Sequence, residues 1–60
     1  MDTFTATMIA EGAEEATEEE QIEAWQLLVD TGLAWQLQGC FGRTARDLIE
    51  AGVVTAPGEG

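Results

Sequence analysis

Carboxylates are the only abundant reactive side chains in this sequence of 60 residues, which carries twelve Asp and Glu residues, two Arg and no His. Seven glutamates crowd the stretch 11–23, where they could ligate calcium or supply an acid–base pair. The Asp- and Asn-rich loop with a central Gly that forms an EF-hand is absent. We therefore favour a solvated face or a partner-binding surface over a metal or catalytic site. These glutamates are Glu11, Glu14, Glu15, Glu18, Glu19, Glu20 and Glu23.

Cys40 is the single cysteine, so no intramolecular disulfide can form, and the usual zinc ligand sets are excluded. A thiol needs a base or a positive neighbour to become a useful nucleophile, and only Arg43 is near it in sequence. We expect a buried or half-buried structural thiol. The segment 39–44 resembles a phosphate-binding loop but lacks the P-loop spacing and lysine. A tight interhelical turn, in which Gly42 permits close packing, explains the same residues better.

The net charge of −10 makes direct binding to nucleic acid unfavourable, because phosphate contact requires a basic patch. The longest apolar run is 27–29, too short to span a membrane, and the N-terminus lacks the pattern of a signal peptide. A secreted chain of this size would normally need disulfides. These features predict a small acidic protein inside the cell, without enzymatic activity, cofactor or metal.

The clearest structural signal is a helix over 18–31. Thr17 and Glu20 form a capping-box pattern, the first turn is acidic, and Gly32 suits the end of the helix. The helical period gathers large apolar residues on one stripe. These are Ile22, Trp25, Leu28 and Val29.

A second helix is predicted over 41–51, ending before Gly52, with Val53 in a position to contact its last turn. Its apolar stripe lies opposite Arg43 and Arg46, each of which has an acidic residue four positions later. The stripe consists of Phe41, Ala45, Leu48 and Ile49.

Two segments are ambiguous. Residues 3–10 alternate as a strand would, but they also fit a helix ending at Gly12, which we prefer because a lone strand has little to pair with. Residues 33–38 alternate as a short strand would, but one isolated strand cannot form a sheet, so we prefer a helical turn or an extended connector that inserts Trp35 and Leu37 into the core.

The predicted fold is therefore all-α: one domain over 1–54 with two main helices, a short N-terminal helix and a Trp-containing connector. Residues 55–60 are predicted to be a disordered tail. The predicted core consists of Ile22, Trp25, Val29, Leu33, Trp35, Leu37, Phe41, Ala45, Leu48 and Ile49.

The segments 28–39, 41–45 and 48–52, preceded by the acidic stretch 8–12, resemble a family of very small acidic proteins of unknown function from tailed bacteriophages. The composite pattern covers residues 8–53, although Ala13 stands where the pattern has an acid-and-leucine pair. The resemblance implies no activity and no catalytic residues. It implies an accessory phage protein that acts in the cytoplasm of the bacterial host.

The sequence leaves two functions open. In the first, the chain binds a host protein with a basic surface and modulates or inhibits it during host takeover, with mimicry of nucleic acid as the sharpest form. In the second, it has a structural or assembly role in the phage, with self-association as an option. Nine of the twelve acids lie in the first 30 residues, without a base. The predicted partner-binding residues are Glu19, Glu20, Glu23, Leu27 and Asp30.

Overall fold

The computed structural model describes residues 1–37 and 39–56, and within them every regular element is a helix. The four helices are α1 (Thr3–Ala10), α2 (Glu18–Thr31), α3 (Leu33–Gln36) and α4 (Gly39–Glu50). The all-α prediction is confirmed. None of these helices is long and apolar enough to cross a membrane.

The N-terminal segment is a helix, as preferred over the strand. The Asp2 carboxylate caps it by accepting a hydrogen bond from the Thr5 backbone N–H at 2.8 Å. At its other end Gly12 N–H donates to Ile9 O, and Ala13 N–H to Met8 O, the paired bonds of a Schellman motif. α1 packs along α2 and buries Ala6 and Ile9.

α2 begins and ends where the sequence predicts. The Thr17 hydroxyl accepts from the Glu20 N–H at 3.1 Å, and the Glu20 carboxylate accepts from the Thr17 N–H at 3.0 Å. This reciprocal pair satisfies two backbone donors that a helix start would leave without partners. Gly32 ends the helix with φ +81°, and its N–H donates to Val29 O.

The connector after Gly32 is the single helical turn α3, one of the predicted alternatives. α4 begins at Gly39, so the segment predicted as an interhelical turn is already helical. The close approach expected at Gly42 is present: a Cβ there would lie 3.4 Å from Cε3 of Trp35. α4 ends in a second Schellman motif, in which Gly52 N–H donates to Ile49 O and Val53 N–H to Leu48 O.

The core differs from the prediction in the connector. Trp35 is 49% exposed and Leu37 36% exposed, because α3 turns Ala34 inward and lays Trp35 over the surface of α4 at Gly42. The other eight predicted core residues are all buried or half-buried in one cluster. The buried residues are Ala6, Ile9, Ala24, Leu28, Val29, Ala34, Phe41, Ala45 and Val54.

The chain after α4 returns to α2. Val54 is buried in the core, and the backbone of Thr55 both donates to and accepts from the Gln26 side-chain amide, at 2.8 and 2.9 Å. Thr55 is therefore tied to α2, although it falls within the tail predicted to be disordered. The rest of that prediction, from residue 57 onward, lies outside the described residues.

Candidate protein interface

Four of the five predicted partner-binding residues line one shallow groove on the solvent side of α2. Glu19, Glu23, Leu27 and Asp30 occur at intervals of four, four and three residues, which places them on one helix face. The groove has a volume of ≈ 410 Å³. Together with Ile22, Gln26 and Met1, these four residues form what we call the outer face of α2.

Leu27 has an intermediate environment among these acids. Its side chain is half-buried and packs against the core cluster, while Met1 lines the same groove. Met1 and Leu27 therefore contribute apolar surface to the same groove. Ile22 is also half-buried, so the outer face has an apolar floor between its carboxylates.

Gln26 connects this face to the end of the described chain. Its amide donates to the Asp30 carboxylate at 3.0 Å as well as to Thr55 O. One side chain thus holds the Asp30 carboxylate and a backbone segment 29 residues away. Asp30 is thereby the most constrained acid of the outer face.

Glu20 does not belong to the outer face, although the sequence analysis grouped it there. Its carboxylate caps α2 and lines a separate depression between the end of α1 and the start of α2. The helical geometry explains the separation, because neighbouring residues of a helix point about 100° apart. This depression has a volume of ≈ 760 Å³ and also includes Glu11, Glu14 and Glu15.

A third groove, between α2 and α4, was missed by the sequence analysis. Ile22, Trp25, Leu48 and Val53 line it, with a volume of ≈ 390 Å³. The ring of Trp25, which lines this groove, meets the ring of Phe41 at a centroid distance of 5.5 Å and an interplanar angle of 50°. The apolar stripe of α2 could have indicated this groove, because some of its large side chains remain partly exposed in the fold.

The two arginines lie on α4 and do not line the outer face. Arg46 pairs with Glu50 at 3.3 Å, and both side chains are well exposed. Such a pair contributes only about 0.3–0.5 kcal/mol. Among the described residues, no arginine lines the outer face, so no basic side chain stands between its carboxylates.

The other candidate chemistry is not supported by the geometry. Cys40 is exposed rather than buried, which corrects the sequence prediction. Across residues 1–37 and 39–56, no three Cys, Asp or Glu side chains come together as metal ligands.

Comparison with known proteins places the chain in a family without assigning it an activity. No curated protein and no solved structure matches it. A family model described as a domain of unknown function, DUF7417, matches residues 1–60. Because that match covers the whole sequence, the chain belongs to the DUF7417 family.

Proposed function

We propose that this chain is a non-enzymatic binding protein that engages a basic surface of another protein through the outer face of α2. The observation that carries the proposal is the convergence of Glu19, Glu23 and Asp30 around a half-buried apolar floor. An apolar centre with a polar surround is the usual arrangement of a binding hot spot.

The charge distribution supports the same partner chemistry. Nine acids and no base lie in the first 30 residues, so self-repulsion there opposes the compact state. A basic partner would relieve that repulsion, and complementary charge would accelerate encounter. Binding should therefore weaken as salt is added.

The size of the chain suits a protein partner. A stable interface buries about 800 Å² on each side, one fifth of the accessible surface of 3991 Å². Carboxylates 19 and 30 are separated by roughly 16 Å at about 1.5 Å per residue. The outer face can thus contact several basic residues of one partner.

The resemblance to phage accessory proteins supports a bacterial setting. In that setting the partner is a host protein whose activity the chain modulates in the host cytoplasm. Basic surfaces are typical of proteins that handle nucleic acid. Mimicry of nucleic acid by the outer face is the specific form of the proposal.

The test is an affinity pulldown from bacterial host lysate at low and high salt, using three forms of the chain. These are the parent, Glu19→Gln/Glu23→Gln, and the control Glu14→Gln/Glu15→Gln. Both variants remove the same charge, but only the first changes the outer face. We expect a salt-sensitive partner that the first variant loses and the control keeps. Equal retention by both variants would show that the outer face is ordinary solvated surface.

A further inference from the structure

The groove between α2 and α4 is an apolar surface that the fold leaves open. Its walls are Ile22, Trp25 and Leu48, all half-buried, and Val53, which is 40% exposed. Covering such surface is favourable in proportion to the apolar area removed from water. The polar residues at its edge are Glu18, Gln21 and Thr44.

The groove follows from the way the helices pack. α1 lies close to α2, and α3 lies close to both α2 and α4. The ring contact between Trp25 and Phe41 joins α2 to α4. Beside that contact the two helices leave a gap, and among the described residues after α4, 51–56, Val53 is the one that lines it.

Charge determines what can occupy the groove. Glu18 stands at its edge, and Ile22 is shared with the outer face, which adds Glu19 and Glu23 on the same helix. A second copy of this chain carries −10 itself and is repelled. The complementary occupant has an apolar side chain flanked by cations.

We propose that this groove receives an apolar side chain from a basic amphipathic helix of the partner, whose cationic residues lie over Glu18, Glu19 and Glu23. A helix in a groove presents apolar anchors at intervals of three and four residues, with charged residues beside them. This inference rests on the proposed function and specifies the partner's chemistry.

The first experiment follows the two indole N–H signals of the parent protein by NMR. The probe is a synthetic 14-residue peptide of leucine and lysine in a helical amphipathic pattern. Trp25 lines the groove, whereas Trp35 lies on the surface of α4 at Gly42. We expect the Trp25 signal to shift on titration and the Trp35 signal to stay. Absence of peptide binding, or shifts at Trp35 alone, would overturn the proposal.

The second experiment distinguishes the loss of an apolar contact from the gain of a negative charge. Val53→Asp removes a wall of the groove but adds a negative charge, so the two effects have opposite signs. If the groove receives an apolar side chain, Val53→Asp should bind the peptide about tenfold more weakly, which corresponds to the loss of one valine-sized contact. Phe4→Asp is the matched control, because Phe4 is 72% exposed and does not line the groove. Circular dichroism verifies that both variants fold. If Val53→Asp does not fold, Val53→Ser replaces it.

The outcomes separate this inference from the proposed function. If Val53→Asp binds the peptide as tightly as the parent or more tightly, the groove does not seat an apolar side chain. In that case, binding of the same peptide to Glu19→Gln/Glu23→Gln shows whether the charge of the outer face alone attracts the peptide. A scrambled peptide of the same composition should bind at least about tenfold more weakly, since it has no apolar face. Equal binding of the scrambled peptide would contradict the docking of an amphipathic helix in the groove.

Discussion

We expect Leu28→Ala to destabilise this domain more than the same change at Leu27, the half-buried leucine of the outer face. The Leu28 side chain is completely buried, and only Leu28 and Val29 are both large and fully buried among the described residues. Leu28→Ala shrinks an isobutyl group to a methyl group. The lost transfer free energy is roughly 2.4 kcal/mol at about 0.8 kcal/mol per methylene-sized group.

The cavity left behind adds to that loss. Measured Leu→Ala changes in cores reach about 2.7–5.0 kcal/mol when the site relaxes incompletely. We therefore expect Leu28→Ala to lower the free energy of unfolding by about 3 kcal/mol. The total free energy of unfolding of a chain of this size is about 3–9 kcal/mol. The substitution therefore removes a large part of it.

The assay is thermal unfolding followed by circular dichroism at the helix band. A loss of 3 kcal/mol lowers Tm by about 12 °C or more in a domain this small. Leu37→Ala is the matched control, because Leu37 is 36% exposed and its backbone bond to Leu33 O survives the change. We expect its Tm to fall by less than about 4 °C. If Leu28→Ala melts within that margin of the parent, Leu28 does not lie in the core as described.

Three further predictions concern the helix ends. Gly32→Ala should cost about 1–2 kcal/mol from backbone strain alone, since φ is +81° and no atom lies within 4 Å of the new Cβ; Gly39→Ala, equally open but without a positive φ, should be neutral or stabilising in the same denaturant melts. Thr17→Ala should cost about 1 kcal/mol, measured by urea unfolding, because the hydroxyl that accepts from the Glu20 N–H is lost. The hydrogen bonds from Thr5 lower the pKa of the Asp2 carboxyl below 3.8, so its capping is present above that pH and lost as pH falls through the lowered pKa; the stability difference between the parent and Asp2→Ala should therefore shrink on acidification, and a difference that grows instead would contradict this cap.

The elements that the sequence predicts well are those fixed by local chemistry. The capping box at Thr17 and Glu20 and the glycines after each long helix act through bonds to neighbours a few residues away. Those bonds form in any surroundings, so their pattern can be interpreted without knowing the fold. The start of α4 was harder to predict, because the glycines of segment 39–44 also fit a turn.

Positions that depend on how helices meet were not predictable in the same way. Trp35 and Leu37 are apolar, yet a single helical turn offers too little periodicity to show which side faces the core. Glu20 was grouped with the outer face, but helix geometry and its capping bond direct it elsewhere. The groove containing Val53 requires knowledge of where the chain returns after α4.

The distribution of side-chain sizes explains why this fold leaves large apolar side chains partly exposed. Four of the buried positions are alanines, which let the helices approach closely but bury little area each. The larger residues Ile22, Trp25, Leu27 and Leu48 are only half-buried, and all line the outer face or the α2–α4 groove. A chain built for stability alone would reverse that arrangement. These larger side chains lie instead on exposed faces of α2 and α4, where the proposed basic partner would cover them. The buried alanines are Ala6, Ala24, Ala34 and Ala45.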